Sequence, residues 1–128
     1  MENYFKEGDA DVPMFDFNIK SGKMIIRGRS FPEDTVEVYL PVLDWIDVYI
    51  TIPADLTLVQ FELDYFNSST YKAILNILLK FEKLMGSDKK VRVEWFYHER
   101  DIDMKEVGEE FEGLVDIPFS FRIKQVNA

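Results

Sequence analysis

Three consecutive hydroxyl side chains, Ser68, Ser69 and Thr70, sit inside the segment YFNSSTYK, residues 65–72. They fall where an alternating apolar run ends and a helical stripe begins. Two readings of such a cluster follow from its chemistry. In one, a Ser or Thr oxygen caps the helix by accepting an orphan backbone N–H. One residue satisfies that role, and three exceed it. In the other, a hydroxyl is a phosphorylation site. The phosphate would meet free backbone N–H groups and the positive helix end, with Lys72 one turn on. Tyr65, Phe66 and Tyr71 flank the cluster and would give a partner apolar anchors beside Asn67, Ser69, Thr70 and Lys72.

Other reactive side chains are sparse. His98 is the single histidine. A small acid/base enzyme or a ligand-binding protein could use it with Asp101 or Asp103, and that is the alternative to a switch. A strand-terminal polar residue is the plainer reading of His98, since catalysis would need a nucleophile and an orienting carboxylate beside it. There is no G-x-S-x-G elbow and no G-x-x-x-x-G-K-[ST] loop, so neither signature supports hydrolase or nucleotide chemistry. Asp101 and Asp103 begin like a calcium loop, but Met104-Lys105 breaks the D-x-[DN]-x-[DN]-G pattern. Residues 99–116 hold eight acids against two bases, a net −6 within a whole-chain charge of −9. The tract is a solvated helix face with acids at its start, or a partner-binding surface. Arg27 and Arg29 form the one close arginine pair. They could neutralise an anion or pair with the acidic helix. The GRSFPED loop (28–34) is a tight strand-to-helix connection shaped by Gly28 and Pro32, or one that also lines a binding surface, with Arg29 among the partner-binding candidates.

The elements that must position these groups can be read from periodicity. Residues 1–12 are polar and acidic and read as a flexible arm. MFDFNIK (14–20) alternates, Ser21-Gly22 supplies a turn, and KMIIRG (23–28) returns as a second strand. Asp34 and Glu37 form a D-x-x-E capping box. Val38, Val42, Ile46 and Tyr49 follow at helical spacing, with Pro41 expected to kink the helix or disturb its first turn. LTLVQFELD (56–64) alternates as a strand. Tyr71, Ile74, Leu75, Leu78, Phe81 and Met85 make the clearest 3.6-residue stripe in the chain. KKVRVEWFYH (89–98) is a strand, 99–114 a shorter helix with a box at Asp103/Glu106, and FSFRIKQ (119–125) a last strand. The order ββαβαβαβ predicts a mixed α/β sheet of about five strands with about three helices, in one domain over residues 13–128.

Composition sets the remaining bounds. The 128 residues are 47% hydrophobic and 30% charged, which excludes intrinsic disorder. Folding should bury about 68% of the chain's surface, enough for a core without staples. There is no cysteine, so disulfide scaffolds and thiol chemistry are out. A pI near 4.6 repels nucleic acid and anionic lipid alike. No apolar run has the length of a membrane span, and the N-terminus lacks the pattern of a signal peptide. A cytoplasmic protein is expected. Its 19 aromatic side chains leave room for self-association.

Taken in order, GRSFPED, LDWIDVY, YFNSSTYK, VEWFYHERDIDM and GEEFEGL resemble the SiaC-type regulatory phosphoproteins of bacteria. The resemblance runs from about Pro13 to Phe121. It implies a STAS-like fold, similar to anti-anti-sigma factors, and a non-enzymatic role without cofactor or metal. It further implies a Ser/Thr kinase and a metal-dependent phosphatase that set the modification state. The unmodified form would bind a partner, the associated target being a diguanylate cyclase in cyclic di-GMP and biofilm control. In the family pattern the hydroxyl after Asn is Thr, followed by Ser. Matched residue by residue, the acceptor is Ser68, with Ser69 the alternative.

Overall fold

The computed structural model describes residues 1–124, so the Gln125 end of the expected last strand lies outside the described residues. Three short antiparallel strands open the chain: β1 (Tyr4–Lys6), β2 (Met14–Phe17) and β3 (Lys23–Ser30). Strand and helix then alternate through α1 (Thr35–Tyr49), β4 (Leu56–Phe66), α2 (Ser68–Glu82), β5 (Lys90–His98), α3 (Ile102–Leu114) and β6 (Phe119–Lys124). The six strands form one sheet in sequence order, with β3, β4, β5 and β6 parallel. Each right-handed crossover steps the same way along the sheet, so α1, α2 and α3 all land on one face. Because the order never reverses, the sheet has no switch-point crevice of the kind doubly wound nucleotide-binding folds use.

Alternation decides which side chains meet the helices. Met24, Ile26, Thr57, Val59, Phe61, Leu63, Val91, Val93 and Trp95 point inward and are buried. They meet Val42, Ile46 and Tyr49 of α1, Ile74, Ile77, Leu78 and Phe81 of α2, and Phe111 of α3. The opposite face is a polar ladder. Gln60 and Arg122 both bond Glu94, and Arg27 pairs with Glu62 at 2.7 Å. Burial would raise the Glu94 carboxyl, but the hydrogen bonds from Gln60 and Arg122 outweigh it and hold the pKa low.

Four expectations are corrected. The segment read as a flexible arm contains an edge strand, which brings the sheet to six strands. Tyr4 packs on the Phe15 and Phe17 rings, 6.2 and 6.0 Å away, and the Trp45 indole N–H donates to the Glu2 carbonyl at 2.8 Å. Strand β2 stops at Phe17, because Asn18 starts the turn and its Oδ1 accepts the Ser21 N–H. Gly22 closes that turn at φ +72, where a Cβ would stand 2.1 Å from the Leu56 carbonyl oxygen. Helix α1 runs uninterrupted through the exposed Pro41, and its first turn is regular, with Asp34 Oδ1 accepting the Glu37 N–H at 3.1 Å. Helix α3 is capped by Asp101, whose Oδ1 accepts the Met104 N–H at 3.0 Å, and not by Asp103.

Candidate functional site

The parallel strands β3 and β4 end side by side, with Ser30 paired to Phe66 and the Ser30 carbonyl accepting the Asn67 N–H at 3.1 Å. Helix α2 starts from that corner. Its cap is Asn67, in extended backbone, whose Oδ1 accepts the Thr70 N–H at 3.0 Å. None of the three hydroxyls is therefore needed as the cap, which corrects that reading of the cluster. Asn67→Ala is expected to cost about 1 kcal/mol of stability, checked by the urea midpoint. Ser68→Ala, at the first helical position, should leave the midpoint within about 0.5 kcal/mol.

The helix surface separates the three hydroxyls sharply. Thr70 is fully buried. Its hydroxyl donates to the Ser30 carbonyl at 3.1 Å and contacts Ser30 Oγ at 2.8 Å, and Ser30 Oγ in turn meets the Tyr39 hydroxyl at 2.7 Å. Thr70 offers no surface to a partner, against its expected place in the binding set. Ser69 is exposed but engaged: its hydroxyl donates to Asn67 Oδ1 at 2.9 Å and meets Thr35 Oγ1 at 2.7 Å. Ser68 is exposed and makes no side-chain hydrogen bond among the described residues.

Ser68 stands at the mouth of a groove between α1 and α2. Val36, Leu40 and Leu43 form one wall, Lys72, Ala73 and Asn76 the other, around a cavity of about 470 Å³. Val36 and Leu40 are 68% and 51% exposed, unusual for large apolar side chains on a packed helix. Burial of Tyr39 at the floor pushes its phenol up to about 12, the nearby Ser30 and Thr70 hydroxyls lowering it only in part. The neutral phenol thus adds stability that is complete below pH 10 and lost as pH rises toward 12, about 3 kcal/mol for two units. Tyr39→Phe should lack this step, measured by urea unfolding at pH 9 and pH 11.5.

The other expected site residues scatter. Tyr71 packs inward, stacked on Phe111 at 4.5 Å; burial, then the Glu110 carboxylate beside it, push its phenol up. Tyr65, Phe66, Asp101 and Asp103 share a second, more polar hollow of about 320 Å³ with Asp64 and Met104. Arg29 lies over the Phe31 and Tyr65 rings, 5.0 and 5.8 Å from their centroids, and Arg27 pairs with Glu62, so neither arginine pairs with the acidic helix. His98 Nε2 meets Asp64 at 2.9 Å, with Lys124 3.4 Å from the same oxygen. His98 points to the open sheet face while the Asp101 carboxylate is spent on the α3 cap, so the expected His98–Asp101/Asp103 constellation is not assembled. Among the described residues no group of three or more acids or histidines is placed to hold a metal ion. No helix there is long and apolar enough to cross a membrane.

A free hydroxyl opening a capped helix, beside an uncovered apolar groove, suits a protein that is modified and bound. The family model described as SiaC family regulatory phosphoprotein matches residues 6–124. The chain belongs to the SiaC family. An uncharacterized protein of Pseudomonas aeruginosa strain UCBPP-PA14 is 26% identical to it over 115 residues, 90% of this chain and 91% of that one. The crystal structure of apo-SiaC from Pseudomonas aeruginosa superposes with a TM-score of 0.88 at 25% identity, over 95% of this chain and 99% of that chain. A chain of the Pseudomonas aeruginosa complex between the diguanylate cyclase SiaD and its activator SiaC superposes equally, TM-score 0.88 at 24% identity, over 94% and 99%.

Residues that periodicity missed are Ser30, Thr35 and Tyr39, together with the groove wall Val36, Leu40 and Leu43. The wall was readable as a second i, i+4, i+7 apolar row on α1, beside the core row. The hydroxyl contacts carry no local signal, since their partners lie 9 to 40 residues apart.

Proposed function

We propose that this SiaC-family chain is a phosphorylation-gated binding protein and not an enzyme. A Ser/Thr kinase modifies Ser68, a metal-dependent phosphatase reverses the change, and the unmodified form docks on a diguanylate cyclase, as SiaC does in its complex with SiaD. The observation that carries this reading is the exposed, unengaged Ser68 hydroxyl at the rim of the α1–α2 groove, on a helix already capped by Asn67. The cyclase would cover the groove, with Asn67, Ser69 and Lys72 at its rim. Tyr65, Phe66, Arg29, Asp101 and Asp103 extend the contact around the strand ends.

The test is site mapping. Incubated with a Ser/Thr kinase that modifies it and ATP, the protein should gain one phosphate on Ser68, and Ser68→Ala should gain little. A phosphate found elsewhere, with Ser68 untouched, would reject the assignment.

A further inference from the structure

Three hydroxyls on consecutive residues raise a problem of choice that the hydrogen bonds around them resolve. We propose that Thr35 is a positioning residue that withdraws Ser69 from phosphoryl transfer and leaves Ser68 as the single acceptor; this rests on the reading of Ser68 as the modified residue. Each hydroxyl has one proton and two lone pairs. The Ser69 proton goes to Asn67 Oδ1 at 2.9 Å, so in the 2.7 Å contact Thr35 must donate to Ser69 Oγ. Both the proton and a lone pair of Ser69 are then committed.

Thr70 is withdrawn in the same manner, one helical turn along α1. Its proton goes to the Ser30 carbonyl at 3.1 Å, so Ser30 Oγ donates to Thr70 Oγ1 and the Tyr39 phenol donates to Ser30 Oγ. Both relays start on α1, at positions i and i+4, and end on the α2 corner. Thr70 is also beyond reach because it is buried. Ser69 is exposed, so its engagement through Thr35 and Asn67 is what distinguishes it from Ser68.

Phosphoryl transfer makes the distinction matter. The hydroxyl oxygen forms a bond to the γ-phosphorus of ATP while the bond from that phosphorus to the β–γ bridging oxygen breaks, ADP leaves, and the hydroxyl proton passes to a base on the kinase. Ser68 brings its proton and both lone pairs to that event. Ser69 must first break its bonds to Asn67 and Thr35.

Thr35→Val keeps shape and removes the donor, and Thr35→Ser keeps the donor. Phosphosites are mapped after equal times with the same kinase and ATP, in wild type and in a Ser68→Ala background. Ser68→Ala alone should carry little phosphate on Ser69. Adding Thr35→Val should raise it about tenfold, the weight of one hydrogen bond, and Thr35→Ser in its place should return it to the Ser68→Ala level. A purely structural role for Thr35 would change total phosphate without moving its position. Ser69 modified in Ser68→Ala as readily as Ser68 in wild type, or no redistribution with Thr35→Val, would overturn the proposal. Failure of every variant to accept phosphate would be failure of the Ser68 reading. The relay is then decided without a kinase by NMR. The Thr35 hydroxyl proton, donated to Ser69, should exchange slowly enough to observe in wild type, and the Ser69 proton, donated to Asn67, should exchange faster in Thr35→Val than in wild type; a wild-type Ser69 proton exchanging as fast as that of Ser68 overturns it.

Discussion

Phosphorylation of Ser68 is expected to lower affinity for the proposed cyclase partner by about a hundredfold or more. The groove beside Ser68 is apolar, so a docked partner would strip water from anything on its rim. A phosphate adds about −1.5 to −2 charges there. Desolvating it without a new cationic partner costs several kcal/mol. Lys72, one turn along, and the α2 N-terminus return part of that, the helix end about 0.3–1 kcal/mol. Both act equally well in the free protein, so they steady the modified form and do little for the complex. A net loss of about 3 kcal/mol is about a hundredfold in Kd. Titration calorimetry with unmodified and stoichiometrically phosphorylated protein measures it. Equal affinities would remove occlusion as the mechanism.

Trp95→Ala is the most damaging single truncation expected, at about 3–5 kcal/mol, against a total stability of about 5–15 kcal/mol for a domain of this kind. Trp95 is fully buried at the centre of β5, with Phe61 at 5.3 Å, Phe111 at 5.6 Å and Phe66 at 6.4 Å between ring centroids. Its indole N–H donates to the Met104 carbonyl at 2.9 Å, so truncation leaves a cavity and an orphaned acceptor together. The fit is close enough that a Cβ on Gly108 would come within 2.5 Å of the ring. Phe66 directly precedes the Asn67 cap, so the damage should reach the ground under Ser68. Urea unfolding reads the loss, and Trp95→Phe should recover part of it. A loss below about 1 kcal/mol would mean the core does not turn on this side chain.

The strongly periodic elements were legible because burial on one side leaves a period in the sequence. The stripe from Ile74 to Phe81 gave α2, and the parity of Val91, Val93 and Trp95 gave the inward face of β5. The β1 edge strand was not, since three residues carry no alternation to read. It is held by Tyr4 on the Phe15 and Phe17 rings, contacts made across the chain. At the site, the hydroxyl run marks the segment 65–72, but the division of labour among its hydroxyls carries no local signal. Asn67 preceding three hydroxyls is itself a good cap, and giving it that role would have freed the hydroxyls at once. Which of them is buried, engaged or free depends on Ser30, Thr35 and Tyr39, brought in by the packing of α1 on α2. At His98, proximity in sequence to Asp101 and Asp103 counts for less than strand parity, which turns the ring toward Asp64.

The gate itself is tested most directly by cyclase binding in the presence of an active kinase and ATP, with wild type and Ser68→Ala side by side. Wild type should lose the cyclase as phosphate accumulates, while Ser68→Ala should hold it throughout with its starting affinity. Parallel loss of binding in both proteins would contradict control through Ser68.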